Sequence, residues 1–160
     1  MICVYTDKKR SRLFVALLLL AYCFLYSPSI SLAKMVSVSG KIINMRKGPG
    51  IRYKVIWKLG RGYPLIRLHQ KGKWLKVKDF EGDVGWVYGP LTNKRPHLIV
   101  KVKRVNIRSG PGRRYSLISQ ANYGVVFRTL KRRGGRLGWV KVRHKSGLTG
   151  WIKRKFLWGW

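Results

Sequence analysis

The run Trp74-Leu75-Lys76-Val77-Lys78 sets an indole and two ammonium groups at every second position. In an extended chain successive side chains point to opposite faces, so Trp74, Lys76 and Lys78 share one face and Leu75 and Val77 the other. An indole beside cations can stack on a sugar or another flat apolar surface while its neighbours hold carboxylates or phosphates. The run Trp139-Val140-Lys141-Val142-Arg143 repeats the arrangement. The same indoles have a purely structural alternative, capping one end of a small barrel. Arg46 and Arg108 lie beside Gly-Pro-Gly turns, placed either to bind an anionic ligand or to hydrogen-bond the turn's own carbonyls. Trp86 and Trp151 read as core or groove-wall residues. The candidate ligand-binding set is therefore Trp74, Lys76, Trp139, Lys141, Arg46, Arg108, Trp86 and Trp151.

Residues for covalent or acid–base chemistry are scarce. Cys3 and Cys23 are the sole cysteines, and beyond residue 33 the acids are Asp79, Glu81 and Asp83 with His69, His97 and His144 beside them. Cys-His, Ser-His-Asp and paired-carboxylate arrangements are hard to assemble from that inventory, so no catalytic residue and no enzyme is expected. The spacing of the three acids raises a calcium loop, since hard cations want clustered carboxylates. His144, Ser146 and Leu148 stand at the corresponding places of a second copy, and the acids are read instead as partners of nearby lysines, with no metal or cofactor expected. The glycines of Gly-Pro-Gly do not make a phosphate loop, because no Gly-Lys-Ser/Thr follows them.

Charge narrows the class of partner. The chain carries 36 Lys+Arg against 4 Asp+Glu, a net charge of +32 on 160 residues. Such a surface repels itself and draws in polyanions. With 46% hydrophobic and 12% aromatic residues it is no disordered basic tail, so the cations sit on folded units. Residues 1–33 carry a separate message: a basic stretch at Lys8, Lys9, Arg10 and Arg12, an apolar run from Leu13 to Tyr26, and Ser31-Leu32-Ala33 with small residues where a signal peptidase looks. They read as a cleaved secretory signal ending at Ala33, the alternative being a retained anchor. The apolar run falls short of the roughly 18 to 20 residues that cross a bilayer, so no stable membrane span is expected after cleavage. Tyr22 ahead of Cys23 is too large for a lipid-attachment pattern. Export to the periplasm or cell envelope is the expectation, and a mature chain without cysteines must fold on its cores alone.

The elements that position these residues come from a duplication. Asn44-Met45-Arg46-Lys47-Gly48-Pro49-Gly50 returns 62 residues later as Asn106-Ile107-Arg108-Ser109-Gly110-Pro111-Gly112. After extra residues near Gly134 to Leu137 the offset becomes 65, where Gly85-Trp86-Val87 meets Gly150-Trp151-Ile152. Short runs rich in Val, Ile, Leu and Trp alternate with Gly60-Arg61-Gly62, Lys71-Gly72 and Glu81-Gly82-Asp83, the pattern of strands and tight turns. The Gly-Pro-Gly glycines are expected to supply positive φ around a proline-set reversal. The reading is all-β: two tandem small β-barrels after the N-terminal signal peptide, with domain 1 over 34–92, a short linker at 93–97 and domain 2 over 98–160. The tail Phe156-Leu157-Trp158-Gly159-Trp160 either finishes the second barrel or offers a sticky contact.

Asn44-x-Arg46-x-Gly48-Pro49-Gly50, Tyr53 and Gly85-Trp86-Val87 resemble the bacterial SH3 domain, and Asn106 to Gly112, Tyr115 and Gly150-Trp151-Ile152 resemble it again. With Gly62-Tyr63-Pro64-Leu65 and Asp79-x-x-Gly82, the first copy is similar to exported bacterial SH3-like proteins of unknown function found in Gram-negative bacteria. Copy two departs from that pattern at Val125-Val126 and His144, so a shared ligand for both copies is not implied. The resemblance implies SH3-like barrels and an envelope interaction module, often a wall-targeting partner of peptidoglycan hydrolases. The expected function is a non-catalytic exported binding or scaffold module for peptidoglycan or another anionic cell-wall or envelope polymer. The alternatives are a regulatory subunit docking on an envelope enzyme through Trp160 and its neighbours, and non-specific nucleic-acid binding through charge alone.

Overall fold

The computed structural model describes residues 34–130 and 138–160. The signal reading, both cysteines and the inserted residues between the copies' hairpins lie outside the described residues. Seven strands build the first unit: β1 (Lys34–Val38), β2 (Ile42–Arg46), β3 (Val55–Gly60), β4 (Pro64–Lys71), β5 (Trp74–Lys78), β6 (Val84–Tyr88) and β7 (Thr92–Asn93). Seven more build the second: β8 (His97–Val100), β9 (Arg104–Arg108), β10 (Leu117–Asn122), β11 (Val126–Thr129), β12 (Trp139–Arg143), β13 (Thr149–Lys153) and β14 (Leu157–Gly159). The strand orders are β3-β2-β6-β5-β4-β1-β7 and β10-β9-β13-β12-β11-β8-β14, the same topology shifted by seven. All pairings are antiparallel. No helix among the described residues is long and apolar enough to cross a membrane.

Each copy closes over its own core, and the two cores share no residue. Matched positions trade volume. Leu59 and Leu65 of the first core correspond to Ala121 and Phe127 of the second, while Met45 corresponds to Ile107, and all six are buried. Alternation along β5 is as the sequence implies, with Leu75 and Val77 buried and Trp74 and Lys76 half-buried. A register shift between Arg67 and His69 marks a bulge at Leu68 on β4, which bends that strand and leaves the face of β5 unchanged. Thr92 and Asn93 pair with β1, so the first sheet runs through Asn93 and the chain between β7 and β8 is residues 94–96.

The turns divide into two kinds. Gly62 and Gly82 take φ of +83° and +100°, and their counterparts Gly124 and Gly147 take +78° and +92°, the left-handed region where glycine is favoured. The Gly-Pro-Gly glycines do not, which corrects the sequence expectation. There the chain folds tightly around proline, with Gly50 N donating to Gly48 O at 3.0 Å. What demands glycine is a ring: a Cβ on Gly48 would lie 2.5 Å from Tyr53, and one on Gly110 2.3 Å from Tyr115.

The described residues form one compact unit, and the contacts between barrels include aromatic and polar ones. Phe80 lies 5.3 Å from Tyr123 and 6.4 Å from Trp158 between ring centroids. Tyr123 Oη donates to Glu81 Oε1 at 2.5 Å. The tail finishes the second barrel as β14, pairing with β8, and Trp160 Nε1 then donates to Ser37 Oγ of the first barrel at 3.1 Å. Arg154 gathers the tail's carbonyls, donating to Leu157, Gly159 and Trp160.

Candidate functional site

Cross-strand register sets most of the predicted residues in one row. Arg46 on β2 pairs with Trp86 on β6, and Trp86 pairs with Lys76 on β5. Neighbouring strands lie about 4.8 Å apart, so the three side chains stand side by side on the outer face. His69 of β4 continues the row beside Lys76, its ring 6.2 Å from Trp86 in an edge-on contact. The second barrel repeats this: Arg108 pairs with Trp151 and Trp151 with Lys141. Trp86 and Trp151 are half-buried walls of this face rather than core.

The arginines are largely committed to their own turns. Arg46 Nη1 donates to Ile51 O and Tyr53 O, each at 2.8 Å, and Arg108 Nη1 donates to Tyr115 O at 2.8 Å. Each guanidinium therefore ties the strand to the loop whose tyrosine covers the Gly-Pro-Gly glycine. Arg46 also lines a groove of the first barrel, and Arg108 one of the second.

Two residues along the same face from Lys76, Trp74 pairs with Tyr88, their rings 5.5 Å apart and 61° inclined. They form one side of an open groove of about 570 Å³ closed by Asn44, Arg46, Ile51 and Leu91. Ile51 is 82% exposed and Leu91 42%, so the groove offers uncovered apolar surface beside two aromatic rings. Lys76 and Trp86 belong to the adjoining row and do not line it. At the same place in the second barrel is a groove of about 270 Å³ lined by Asn106, Arg108, Arg113, Trp139 and Lys153. Trp139, expected on the wet face with Lys141 and Arg143, is only 7% exposed: it is buried at the groove floor where Trp74 is half-buried. Sequence reasoning missed Ile51, Tyr88 and Leu91 with their counterparts Arg113, Lys153 and Phe156. The signal was present in the repeat alignment, as positions where one copy is apolar or aromatic and the other mostly cationic.

Each of the three acids has hydrogen-bond partners within the protein. Asp79 is buried, and its Oδ1 accepts from Glu81 N at 3.0 Å and Asp83 N at 2.8 Å, while Tyr63 Oη donates to Oδ2 across a long 3.5 Å. Trp57 Nε1 donates to Asp83 Oδ2 at 2.8 Å, and Glu81 accepts from Tyr123. The donors holding the acids are thus aromatic and backbone groups, where lysines had been expected. Burial pushes the Asp79 carboxyl above its ordinary range, opposed by the backbone N–H groups of Asp83 and Glu81 that favour its ionised form. Burial, then the charges of Asp79 and Glu81, push the Tyr63 phenol up, so it remains a donor.

A carboxyl whose folded pKa is raised contributes stability below its unfolded pKa that is lost as pH rises through the folded value. Asp79→Asn keeps an acceptor for both N–H groups without the buried charge, so it equals or exceeds the parent in melting temperature at neutral pH, the gap closing as pH falls through the carboxylate range. Asp79→Ala strips both N–H groups of their acceptor and costs about 1 to 3 kcal/mol. Melting curves of the three proteins across pH check the ordering; equal losses in Asn and Ala at neutral pH would contradict it.

Two small barrels of identical topology, each with an open groove beside a Gly-Pro-Gly turn, define a tandem SH3-like binding module. The family model "Bacterial SH3 domain" matches residues 39–94 and again 101–159, so the chain belongs to the bacterial SH3 domain family. Among curated proteins it is similar to a putative N-acetylmuramoyl-L-alanine amidase, YrvJ, of Bacillus subtilis (strain 168), 25% identical over 128 residues, covering 72% of this chain and 24% of that protein. It is also similar to a probable cell wall amidase, LytH, of Staphylococcus epidermidis, 40% identical over 50 residues, covering 31% of this chain and 17% of that protein. The chain thus spans a quarter or less of the length of the curated relatives it matches. Among solved structures, NlpC2 from Trichomonas vaginalis overlaps 81% of this chain and 49% of its own at 15% identity, with a TM-score of 0.36.

Proposed function

We propose that this chain is a non-catalytic binding module of the cell envelope that holds on to peptidoglycan through the groove of its first barrel. The observation that carries the reading is the Trp74–Tyr88 corner with Ile51 and Leu91 left uncovered beside it. Flat aromatic faces bordered by apolar edges suit the faces of sugar rings and short aliphatic side chains, the chemistry of a glycan strand and its peptides. Arg46, anchored by two carbonyls, fixes the turn that carries Ile51 and so shapes the groove. Two amidases named for cell-wall substrates share the SH3-like region, which supports a wall partner. The N-terminal segment supports export to the envelope. The three acids are engaged by hydrogen bonds within the protein, which supports a non-catalytic reading. In the docking alternative Trp160 and its neighbours would meet a partner enzyme, with the Trp160 indole N–H already donating to Ser37 Oγ.

Co-sedimentation of the purified protein with isolated sacculi across a salt series tests this. Binding that persists at high salt is expected, with Trp74→Ala weakening that salt-resistant component by about tenfold, as for an aromatic anchor. Ile51→Ser, at a site 82% exposed and so harmless to folding, is expected to weaken it in the same direction. Binding that vanishes with salt and ignores both substitutions would sink the proposal and leave only the charge-driven attraction to any polyanion, nucleic acid included.

A further inference from the structure

We infer that the groove of the second barrel is an anion subsite, taking a polymer segment that bears carboxylates or phosphates, and that it is chemically distinct from the aromatic groove of the first. The inference goes beyond wall binding by the first barrel and does not need it. The two grooves share Asn44/Asn106, Arg46/Arg108 and Trp74/Trp139 at matched positions, so the comparison between them is position by position. Around that common frame Ile51 is replaced by Arg113 and Tyr88 by Lys153, and Arg104 joins the lining although its counterpart Ile42 stands outside the first groove. Two lining positions that are apolar or aromatic in the first groove are thus cationic in the second, and Arg104 and Arg108 bring the cations there to four. The volume falls from about 570 to about 270 Å³, and Trp139 sinks from half-buried to 7% exposed, which withdraws its ring face from any stacking partner.

Gathering four cations in one groove is unfavourable unless something opposes them, because like charges in a partly walled site focus their field. Residues 98–160 contain no Asp or Glu. The acids of the first barrel are held by Trp57, Tyr63, Tyr123 and their own backbone. The second barrel thus supplies no carboxylate side chain of its own to oppose these cations, and an external anion would do so. Arg104 and Arg113 are exposed with their forks available, while the adjacent Arg114 and Lys155 lie over the rings of Tyr115 and Phe156. Guanidinium forks match carboxylate and phosphate oxygens in pairs, and Lys153 adds a point charge at the groove wall.

Net charge alone would also attract polyanions, so the test compares charge removed at the groove with equal charge removed elsewhere. The probes are polyglutamate for carboxylates and linear polyphosphate for phosphates, titrated into the purified protein at several salt concentrations. Arg113→Ile with Lys153→Tyr installs the first barrel's residues in the second groove. Lys58→Gln with Lys71→Gln takes the same charge from exposed strand positions of the first barrel. The groove variant is expected to weaken at least one probe about tenfold, one charge-assisted contact's worth, and the control variant less than about twofold. The probe that loses more identifies the anion. Arg113→Ile alone, at an exposed turn position, shows the same direction without touching a strand. Equal weakening in both double variants, or in neither, overturns the subsite. Trp74→Ala should leave polyanion binding unchanged; its loss there would overturn the separation of the two grooves, whereas failure to bind sacculi bears only on the first groove.

Discussion

Phe127→Ala is expected to unfold the second barrel and leave the first one folded. Phe127 is 1% exposed at the centre of a core that also holds Leu98, Ile107, Val142 and Ile152. Truncating a buried phenylalanine costs about 3 to 5 kcal/mol, the lost transfer energy plus the cavity. A unit of about 60 residues has roughly 3 to 9 kcal/mol to lose, with no disulfide to raise it. In the first barrel the matched residue is the smaller Leu65, with Leu59 where the second has Ala121, so the ring carries volume that its own barrel supplies in no other way. Because the cores share no residue, denaturation followed by tryptophan fluorescence should show two transitions in the variant, one moved far to low denaturant and one near its original place. A single transition would mean that the aromatic contacts of Phe80 with Tyr123 and Trp158, and the bond from Trp160 to Ser37, couple the barrels more strongly than their cores hold them separately.

The second large effect is expected from one methyl group. Gly48→Ala places a Cβ 2.5 Å from the ring of Tyr53, whereas Gly50→Ala places one at 3.4 Å, an ordinary contact. Neither glycine has positive φ, so the difference between them is steric and not conformational. The clash reaches Cγ of Tyr53 as well as the ring edge, and the backbone that carries it is tied by Arg46 Nη1 to the Tyr53 carbonyl and by Lys47 N to Lys54 O, so relief requires the whole side chain to move. Gly48→Ala should therefore cost about 1 to 3 kcal/mol, as overpacking does, and Gly50→Ala far less. Gly110→Ala repeats the test in the second barrel, where the approach to Tyr115 is 2.3 Å. Because Ile51 rides on this loop, Gly48→Ala should also weaken sacculus binding while Gly110→Ala leaves it alone. Paired melting and co-sedimentation measurements check both halves; equal stability of the two alanine variants at 48 and 50 would refute the ring-seat explanation.

The duplication, the strand-and-turn pattern and the alternation along Trp74 to Lys78 were all legible in the chain. Those features are local or periodic: a two-residue period sorts Leu75 and Val77 from Trp74 and Lys76 before any neighbour is known, and repeated motifs need no geometry to be seen. Arg46, Trp86 and Lys76 were named from residue type and local spacing. That they form one row is a matter of register between β2, β6 and β5, which a single strand does not encode. Other outcomes depended on atoms brought together from distant parts of the chain. Gly48 and Gly110 looked like positive-φ glycines beside a proline and proved to be seats for Tyr53 and Tyr115. Asp79 was read as a partner of nearby lysines and proved to be the buried acceptor of its own loop, while Trp160 crossed 123 positions of sequence to Ser37. The contrast between grooves was written in the sequence as Ile51 against Arg113 and Tyr88 against Lys153, yet only folding made it a contrast. Sequence by itself determined the two barrels, their charge and the periodicity of their faces, because those follow from composition and spacing. Tertiary structure decided which of the exposed residues share a groove, because a groove is made where loop, strand and turn converge, and their distances are set by packing.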